Sequence, residues 1–176
     1  MKIIVLGGKG TIGSAVVKEL SARHEVLIAG RHEGDLICDV NSEESIREMF
    51  VKAGNFNALI ATVGNVHFED FSAMTSEKYQ IGLNDKLMGQ VNLVSIGSKY
   101  IQEKGSFTLT SGILNRDPIR TGSSASMVNG ALEGFVKGVA IELPRQIRIN
   151  VVSPTVILES MGIYGDYFRG FNPVPV

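Results

Sequence analysis

The chain has 176 residues, a length that one hydrophobic core can fill, so we expect a single domain that spans residues 1–176. Hydrophobic residues make up 44% of the chain and charged residues 20%, which is typical of a globular protein and excludes a mainly disordered one. The 17 Lys and Arg residues against 18 Asp and Glu residues give a net charge of −1, so no binding to nucleic acid or to an anionic membrane is expected.

The cysteine count and the hydropathy pattern bear on the cellular compartment. Cys38 is the only cysteine and has no partner for an internal disulfide, and no apolar run approaches the roughly 18 residues of a membrane span. The start MKIIVLGG has too few apolar residues before its glycines to form the core of a signal peptide. We therefore expect a cytoplasmic protein.

Strand-like and helix-like segments alternate along the chain. Short β-branched and apolar runs predict six strands, at residues 2–6, 25–29, 36–38, 57–62, 106–110 and 148–152. Apolar residues at helical spacing follow the first strand and recur at residues 42–50, 76–102 and 125–143. Parallel strands need crossover connections, and helical crossovers cover both faces of the sheet. The pattern predicts an α/β fold with a Rossmann-like, doubly wound parallel sheet.

A glycine-rich loop stands between the first predicted strand and the first predicted helix. It spells G-x-G-x-x-G after one further glycine, and its residues are Gly7, Gly8, Lys9, Gly10, Thr11, Ile12 and Gly13. Glycines permit a tight turn and the close approach of a pyrophosphate, while the helix N-terminus presents N–H groups and a partial positive charge. The loop predicts a dinucleotide site. The alternative is a turn that uses glycine only for its positive φ.

The end of the second predicted strand indicates which dinucleotide is bound. A fold that prefers NAD usually has an acidic residue there, on the ribose 2′-hydroxyl, whereas this chain has Arg31. Arg31 can pair with a 2′-phosphate and Lys9 can reach the same group, so NADP is predicted over NAD. The alternative is that both are solvated surface charges. Asp39, after the third strand, is predicted either to accept from the adenine amine or to form a turn.

The order of these motifs resembles the short-chain dehydrogenase/reductase family from Lys2 to about Thr155. The matching segments are the glycine loop, Arg31, Cys38-Asp39-Val40, Thr62-Val63-Gly64, Ser111 and the NVVSP sequence at residues 150–154. The resemblance implies that the glycine loop, Arg31, Asp39-Val40 and Thr62-Val63-Gly64 bind NADP (NADPH) at the carboxyl ends of the strands. It also implies hydride transfer to or from a small-molecule carbonyl or alcohol.

The resemblance is incomplete at the catalytic positions. The family uses a Ser that orients the carbonyl, a Tyr that exchanges the proton, a Lys four residues after that Tyr, and an Asn on the preceding helix. Ser111 matches the Ser, but the alignment places Ala125, Asn129 and Lys86 at the other three positions. Lys and Asn have thus exchanged helices, and the resemblance implies catalytic roles for Ser111, Lys86 and Asn129.

No proton donor follows from this alignment, because the methyl group of Ala125 cannot transfer a proton. Tyr164 or Tyr167 is the candidate replacement, with Tyr164 the one assigned, since both lie in residues 154–176, the segment with which the family covers its substrate. The alternative for Tyr164 is packing or substrate contact. No metal site is expected, because the three histidines, His24, His32 and His67, lack ligand spacing.

Two functions stay open at this point. One is an NADP-dependent oxidoreductase with an atypical active site, and the other is a non-catalytic protein that binds NADP(H) as a redox sensor. The resemblance also implies a homodimer or homotetramer, formed by the helices that carry Lys86 and Asn129. The family commonly has a seventh strand, which this chain does not reach. Either a tail is missing from the sequence, or a six-stranded sheet has an exposed edge.

Overall fold

Six parallel strands form one sheet in the computed structural model, which describes residues 1–176. The strands are β1 (Lys2–Leu6), β2 (Glu25–Gly30), β3 (Leu36–Ile37), β4 (Phe56–Ala61), β5 (Ile101–Thr110) and β6 (Arg148–Val152). Their order across the sheet is β3-β2-β1-β4-β5-β6, and every neighbouring pair is parallel. From β1 the chain adds β2 and β3 toward one edge of the sheet, and from β4 it adds β5 and β6 toward the other edge. This confirms the predicted doubly wound sheet.

Helices lie in the connections between the strands except that from β2 to β3, and a short helix follows β6. They are α1 (Thr11–Ser21), α2 (Glu43–Ala53), α3 (Ser76–Gly82), α4 (Gly89–Gly97), α5 (Ser123–Val139) and α6 (Met161–Tyr164), with a π-helical turn at Leu83–Met88 between α3 and α4. Ser42 caps α2, because its side chain accepts from the N–H of Ser45. None of these helices is long and apolar enough to cross a membrane.

The region between α4 and β5 corrects the sequence-based prediction. A single helix was expected over residues 76–102 and a strand over 106–110, but α4 ends at Gly97 and β5 begins at Ile101. The Arg145 guanidinium binds the carbonyl oxygens of both Ser98 and Ile101, the latter at 2.8 Å. These contacts come from a residue more than 40 positions away, so local apolar spacing does not show where the helix ends.

The segment after β6 contains some regular structure. It contains α6, and a parallel bridge joins Ile157 to Val174. The Leu158 N–H donates to the Val174 carbonyl at 2.8 Å, which ties the last residues back to the start of the segment. Residues 154–176 thus form a closed loop beside the carboxyl end of the sheet.

The core holds the sheet and its helices in fixed register. It is a cluster of 23 buried residues, in which the Phe50 ring stacks on Phe56 at 5.3 Å and on Tyr100 at 5.4 Å between ring centroids. A Cβ added to Gly97 would lie 2.6 Å from Phe50, so α4 packs directly against this aromatic group. The close packing fixes the carboxyl ends of β1, β4 and β5, where the predicted site residues lie.

Candidate cofactor and active site

A continuous cleft runs along the carboxyl ends of the strands. It consists of three cavities. The outer cavity, of about 440 Å³, lies between the turn after β1 and residues 30–33, and the middle cavity, of about 390 Å³, lies between residues 30–32, Cys38, Val40 and residues 62–65. The inner cavity, of about 260 Å³, lies between residues 62–68, 110–114 and 154–168. The outer and middle cavities share residues 30–32, and the middle and inner cavities share residues 62–65. One elongated ligand can therefore reach from β2 to β5.

The glycine loop forms the floor of the outer cavity. Gly7 has φ +77°, and a Cβ added there would lie 2.8 Å from Thr62 Oγ1. A Cβ on Gly13 would lie 2.1 Å from the Gly7 carbonyl oxygen, so the first turn of α1 packs on the loop with no room for a side chain. A Cβ added to Gly10 would meet only that same oxygen, at 3.3 Å. No side chain caps the N-terminus of α1. A phosphate group fits this arrangement, because the first-turn N–H groups have no intrahelical acceptor.

Arg31 lies where the outer and middle cavities meet, and two carboxylates surround it. Its Nη2 atom is 3.1 Å from Asp39 Oδ1 and 3.6 Å from Asp85 Oδ2. The N–H of Asn41 and the Arg31 guanidinium hold the pKa of Asp39 below its usual range. A 2′-phosphate bound to Arg31 would therefore compete with carboxylates for the same guanidinium.

Lys9 is paired in a similar way at the opposite side of the outer cavity. Its Nζ atom is 2.6 Å from Glu33 Oε2, and both side chains are more than half exposed. The partners Glu33 and Asp85 were not predicted from the sequence. Lys9 and Glu33 are 24 positions apart, and the Arg31–Asp85 pair joins the end of β2 to the π-helical turn. A local sequence pattern does not indicate such pairs.

The loop after β4 separates the middle cavity from the inner one. Thr62 Oγ1 donates to the Leu6 carbonyl at 2.9 Å, which joins this loop to the end of β1. Val63 lines both cavities, and Val40 forms part of the middle one. Gly64 has φ +130°, and a Cβ there would lie 2.6 Å from Lys86 Cγ. The loop thus approaches Lys86 as closely as a residue without a side chain allows.

Lys86, Ser111 and Asn129 come together at the inner cavity. Lys86 Nζ donates to the main-chain carbonyl of Ser111 at 3.0 Å, and Ser111 Oγ donates to the main-chain carbonyl of Asn129 at 3.1 Å. Ser111 and Asn129 are only 3% and 2% exposed, and Ala125 lines the same cavity. Burial lowers the pKa of Lys86 to about 8. The three residues implied by the family resemblance are therefore neighbours, although they come from three separate elements.

Two hydrogen-bonding groups in this cavity bear on its chemistry. The buried Oδ1 atom of Asn129 has no hydrogen-bond partner within the chain. The single hydroxyl proton of Ser111 is directed to the Asn129 carbonyl, so Ser111 must rotate this proton away before it can polarise a substrate carbonyl. The cavity can thus accept a polar ligand group.

Aromatic side chains line the solvent-facing rim of the inner cavity. The ring of Phe68, in the loop after β4, lies 6.1 Å from that of Tyr164 and 5.2 Å from that of Tyr167. Tyr164 lines the cavity but is 39% exposed. Phe168 adds a further apolar wall. Residues 154–176 therefore lie against the site, with Tyr164 at its rim.

Gln90 is a site-forming residue that the sequence analysis missed. It is fully buried, its Oε1 accepts from the Thr110 N–H at 3.0 Å, and its Nε2 donates to the Thr110 carbonyl at 3.0 Å. Nε2 also lies 3.4 Å from the Val63 carbonyl oxygen. Gln90 therefore links α4 to the ends of β4 and β5. The only local signal is an amide within a mainly apolar helix, which does not identify a partner.

No group of three His, Cys, Asp or Glu side chains is placed so that it could hold a metal ion. Cys38, which borders the middle cavity, is buried, and this burial raises the pKa of its thiol to about 12. The thiol is therefore protonated at neutral pH and is not a nucleophile.

Comparisons with known proteins agree with this geometry. A family model described as enoyl-(acyl carrier protein) reductase matches residues 11–170. The chain is 25% identical to L-xylulose reductase from Bos taurus, over 91% of this chain and 72% of that protein. It is 26% identical to carbonyl reductase (NADPH) 2 from Sus scrofa, over 92% of this chain and 74% of that protein.

Solved structures include more similar proteins. The protein lin1944 from Listeria innocua is 46% identical, with a TM-score of 0.97 over 99% of this chain and 88% of that one. A small-chain dehydrogenase in complex with NADPH is 30% identical, with a TM-score of 0.84 over 98% of this chain and 75% of that one.

Replacing Gln90 tests its role in holding the site together. Gln90→Leu should lower the free energy of unfolding by about 2–4 kcal/mol, because each buried polar group left unpaired costs roughly 1–3 kcal/mol. Urea unfolding measures the change. The matched control is Gln80→Leu, at an exposed position of α3, which should alter stability by no more than about 0.5 kcal/mol. Equal effects of the two substitutions would contradict this role.

Proposed function

Because the chain belongs to the short-chain dehydrogenase/reductase family of oxidoreductases, we propose that it interconverts a small carbonyl compound and its alcohol with NADP. The observation that carries the proposal is the continuous cleft. The glycine loop lies at one end of it, and Lys86, Ser111 and Asn129 lie at the other. Residues 1–176 act as one NAD(P)-binding domain in this proposal.

The residues of the cleft fit a nicotinamide dinucleotide. The N-terminus of α1 and the cramped glycines at positions 7 and 13 suit a pyrophosphate, because a side chain at either glycine would collide with backbone or with Thr62. Val40 lines the space for the adenosine half, and the preceding residue, Asp39, pairs with Arg31 beside it. When bound, NADP supplies a hydride donor or acceptor. The protein binds and orients both reactants and keeps water from them.

Arg31 and Lys9 support NADP over NAD. Both are cations beside the outer cavity, and a 2′-phosphate there would gain charge-assisted hydrogen bonds that a hydroxyl would not. The similar structure in complex with NADPH and the pig reductase that is named for NADPH agree with this choice. Asp39 and Asp85 hold Arg31 in place until the phosphate arrives.

The inner cavity suits a small substrate. Its volume of about 260 Å³ is just below the roughly 300–1,000 Å³ of ordinary ligand pockets, and half of its lining residues are hydrophobic. Ser111 orients the carbonyl oxygen, and the Asn129 amide provides a second polar contact. Residues 154–176 cover the substrate, and Tyr164 contacts it at the rim.

Ala125 favours a second candidate function. It is 2% exposed and lines the inner cavity. The family resemblance aligns Ala125 with the proton-exchanging Tyr, and its methyl group offers no hydroxyl to a ligand in the cavity. A protein with this wall could bind NADP(H) and signal its redox state without turnover. Turnover assays distinguish the two functions.

Two further points stay predictions. The lone Cys38 agrees with a cytoplasmic location. The helical segments that carry Lys86 and Asn129 keep three apolar side chains exposed, Ile81 at 44%, Met88 at 44% and Met127 at 41%, and a homodimer or homotetramer would cover them.

Replacing Arg31 tests the choice of cofactor. Arg31→Ala should weaken NADPH binding at least about tenfold while changing NADH binding less than about threefold, because only NADPH has the 2′-phosphate. Fluorescence titration of the reduced cofactors measures both constants. Arg47→Ala, which removes an exposed cation of α2, is the control and should change neither. Equal weakening of NADPH and NADH would show that Arg31 does not touch the phosphate.

Turnover with a panel of aldehydes, ketones and quinones tests the reaction. Wild-type protein with NADPH should reduce at least one of them, and Ser111→Ala should lower kcat about 10²-fold or more, since it removes the group that polarises the carbonyl. NADPH oxidation is followed by absorbance. Tight NADPH binding with no turnover on any compound would favour the sensor.

Sedimentation equilibrium tests the assembly. We expect twice or four times the mass of one chain, and Met88→Glu should shift the protein toward monomer because a buried carboxylate disfavours the interface. Val51→Glu, on the exposed side of α2, serves as the control. A monomeric wild-type protein at micromolar concentration would contradict the prediction.

A further inference from the structure

Lys86 occupies an unusual place in the fold. It lies within the π-helical turn between α3 and α4, a distortion that is frequent at functional sites. Its side-chain stem packs against Gly64, where a Cβ would be 2.7 Å from Lys86 Cβ, and its Nζ atom reaches the carbonyl of Ser111 at 3.0 Å. The side chain is thus led past the loop after β4 into the inner cavity.

The Lys86 ammonium has no anionic partner. No carboxylate oxygen lies within the 4.0 Å of an ion pair, and the neighbouring Asp85 is turned to Arg31 instead. An ammonium has three N–H donors, and the Ser111 carbonyl accepts from only one of them. Two donors remain for a ligand.

Few other titratable groups face this cavity. Among the residues of 62–68, 110–114 and α5 that line the cavity, none has a charged side chain. In the segment after β6, Tyr164 is the one lining residue with a titratable side chain. Glu133, one turn beyond Asn129, is turned to Arg116 and Ser153. His67 is paired with Glu69, which also binds Lys78.

The other polar groups of the cavity are either weaker acids than Lys86 or are poorly placed to donate a proton to a substrate beside Ser111. The Ser111 hydroxyl donates to the Asn129 carbonyl, and the Asn129 amide does not exchange a proton in this pH range. Tyr164 is at the exposed rim, with its ring against Phe68. Lys86 alone combines a dissociable proton, burial and a position beside Ser111.

We propose that Lys86 is the acid that protonates the substrate oxygen during reduction, and that its neutral amine is the base in the reverse oxidation. This assignment rests on the proposed function. The carbonyl carbon gains a hydride from reduced NADP, so the cofactor is oxidised and the carbonyl is reduced. The C–O π electron pair moves to the oxygen. That oxygen takes a proton from Lys86 Nζ, which forms the alcohol O–H bond and breaks one N–H bond. The neutral amine regains its proton from water.

The charge of Lys86 suits both halves of this step. Before proton transfer, the unpaired ammonium stabilises the negative charge that develops on the oxygen. Because burial lowers the pKa of Lys86 to about 8, the ammonium predominates at pH 7 yet gives up its proton more readily than an exposed lysine would. Reduction should therefore be constant below pH 8 and fall above it, and oxidation should rise through the same range.

The experiment compares three variants with wild type in kinetics and in cofactor binding. Lys86→Met removes the proton and should lower kcat for reduction about 10²- to 10⁴-fold, while the Kd for NADPH changes less than about threefold. Lys86→Arg keeps the charge but does not titrate below pH 12, so the fall in kcat above pH 8 should disappear. Lys137→Met, at an exposed position of α5, is the matched control and should behave like wild type.

A direct titration of Lys86 supplies a readout that does not depend on activity. In protein labelled with ¹³C at lysine Cε, one resonance of the free wild-type protein should titrate near pH 8, and it should be absent from Lys86→Arg. The same resonance should persist in Lys137→Met. In Lys86→Ala, added methylamine should restore turnover at least about tenfold, which a purely structural lysine would not allow.

Other results would overturn the assignment. A Lys86 resonance that titrates at the ordinary lysine value of about 10.4, or a Lys86→Met variant with wild-type kcat, excludes Lys86 as the acid. A Lys86→Met variant that loses NADPH binding makes Lys86 a cofactor ligand instead. If wild-type protein reduces none of the carbonyl compounds, the proposed function itself fails and the assignment fails with it. These outcomes are distinct, because the first two leave wild-type turnover intact.

Discussion

The parallel pairing of β1 with β4 is the contact on which the rest of the site depends. These central strands align Ile3 to Leu6 with Ala58 to Ala61, and the chain winds away from them in opposite directions. The connections after β1 and β4 therefore leave the sheet on different sides and open a crevice between them. Thr62 Oγ1 holds the two strand ends together through the Leu6 carbonyl. Any ligand in the cleft rests on this junction.

The cleft depends on glycine at the points where its walls come closest together, because a side chain there would collide with neighbouring atoms. At Gly7 and Gly13 the turn after β1 meets α1 so closely that an added Cβ would overlap other atoms, and at Gly64 the same is true of Lys86. These contacts bring main-chain N–H groups to one end of the cleft and an ammonium to the other. The two ends are also linked through one ion pair and one peptide bond, because Asp85 pairs with Arg31 and the next residue in the chain is Lys86.

Polarity is distributed unequally along this cleft. Its outer part has cations that are each matched by a carboxylate and are open to water, so exchange of partners there costs little. Its inner part has one largely desolvated ammonium without a carboxylate and one buried amide oxygen without a donor. The outer groups are suited to recognition, whereas the inner groups gain most from a ligand that supplies the missing charge and hydrogen bonds.

The amino-acid sequence by itself determined what depends on near neighbours. Strand and helix spacing follow from alternating and helical periodicity, and the α2 cap at Ser42 and the glycine loop after β1 are local patterns, so the doubly wound sheet was predictable. The family resemblance pointed to Ser111, Lys86 and Asn129, whose positions come from three separate elements.

Only the tertiary structure decided which distant groups meet. It ended α4 at Gly97 through Phe50 and Arg145, and it set the buried Gln90 on the ends of β4 and β5. It also paired Arg31 with Asp85, and left Lys86 without a carboxylate. These contacts join residues far apart in the chain, and their energies depend on burial and distance. Neither quantity exists until the chain has folded, so no local pattern records them.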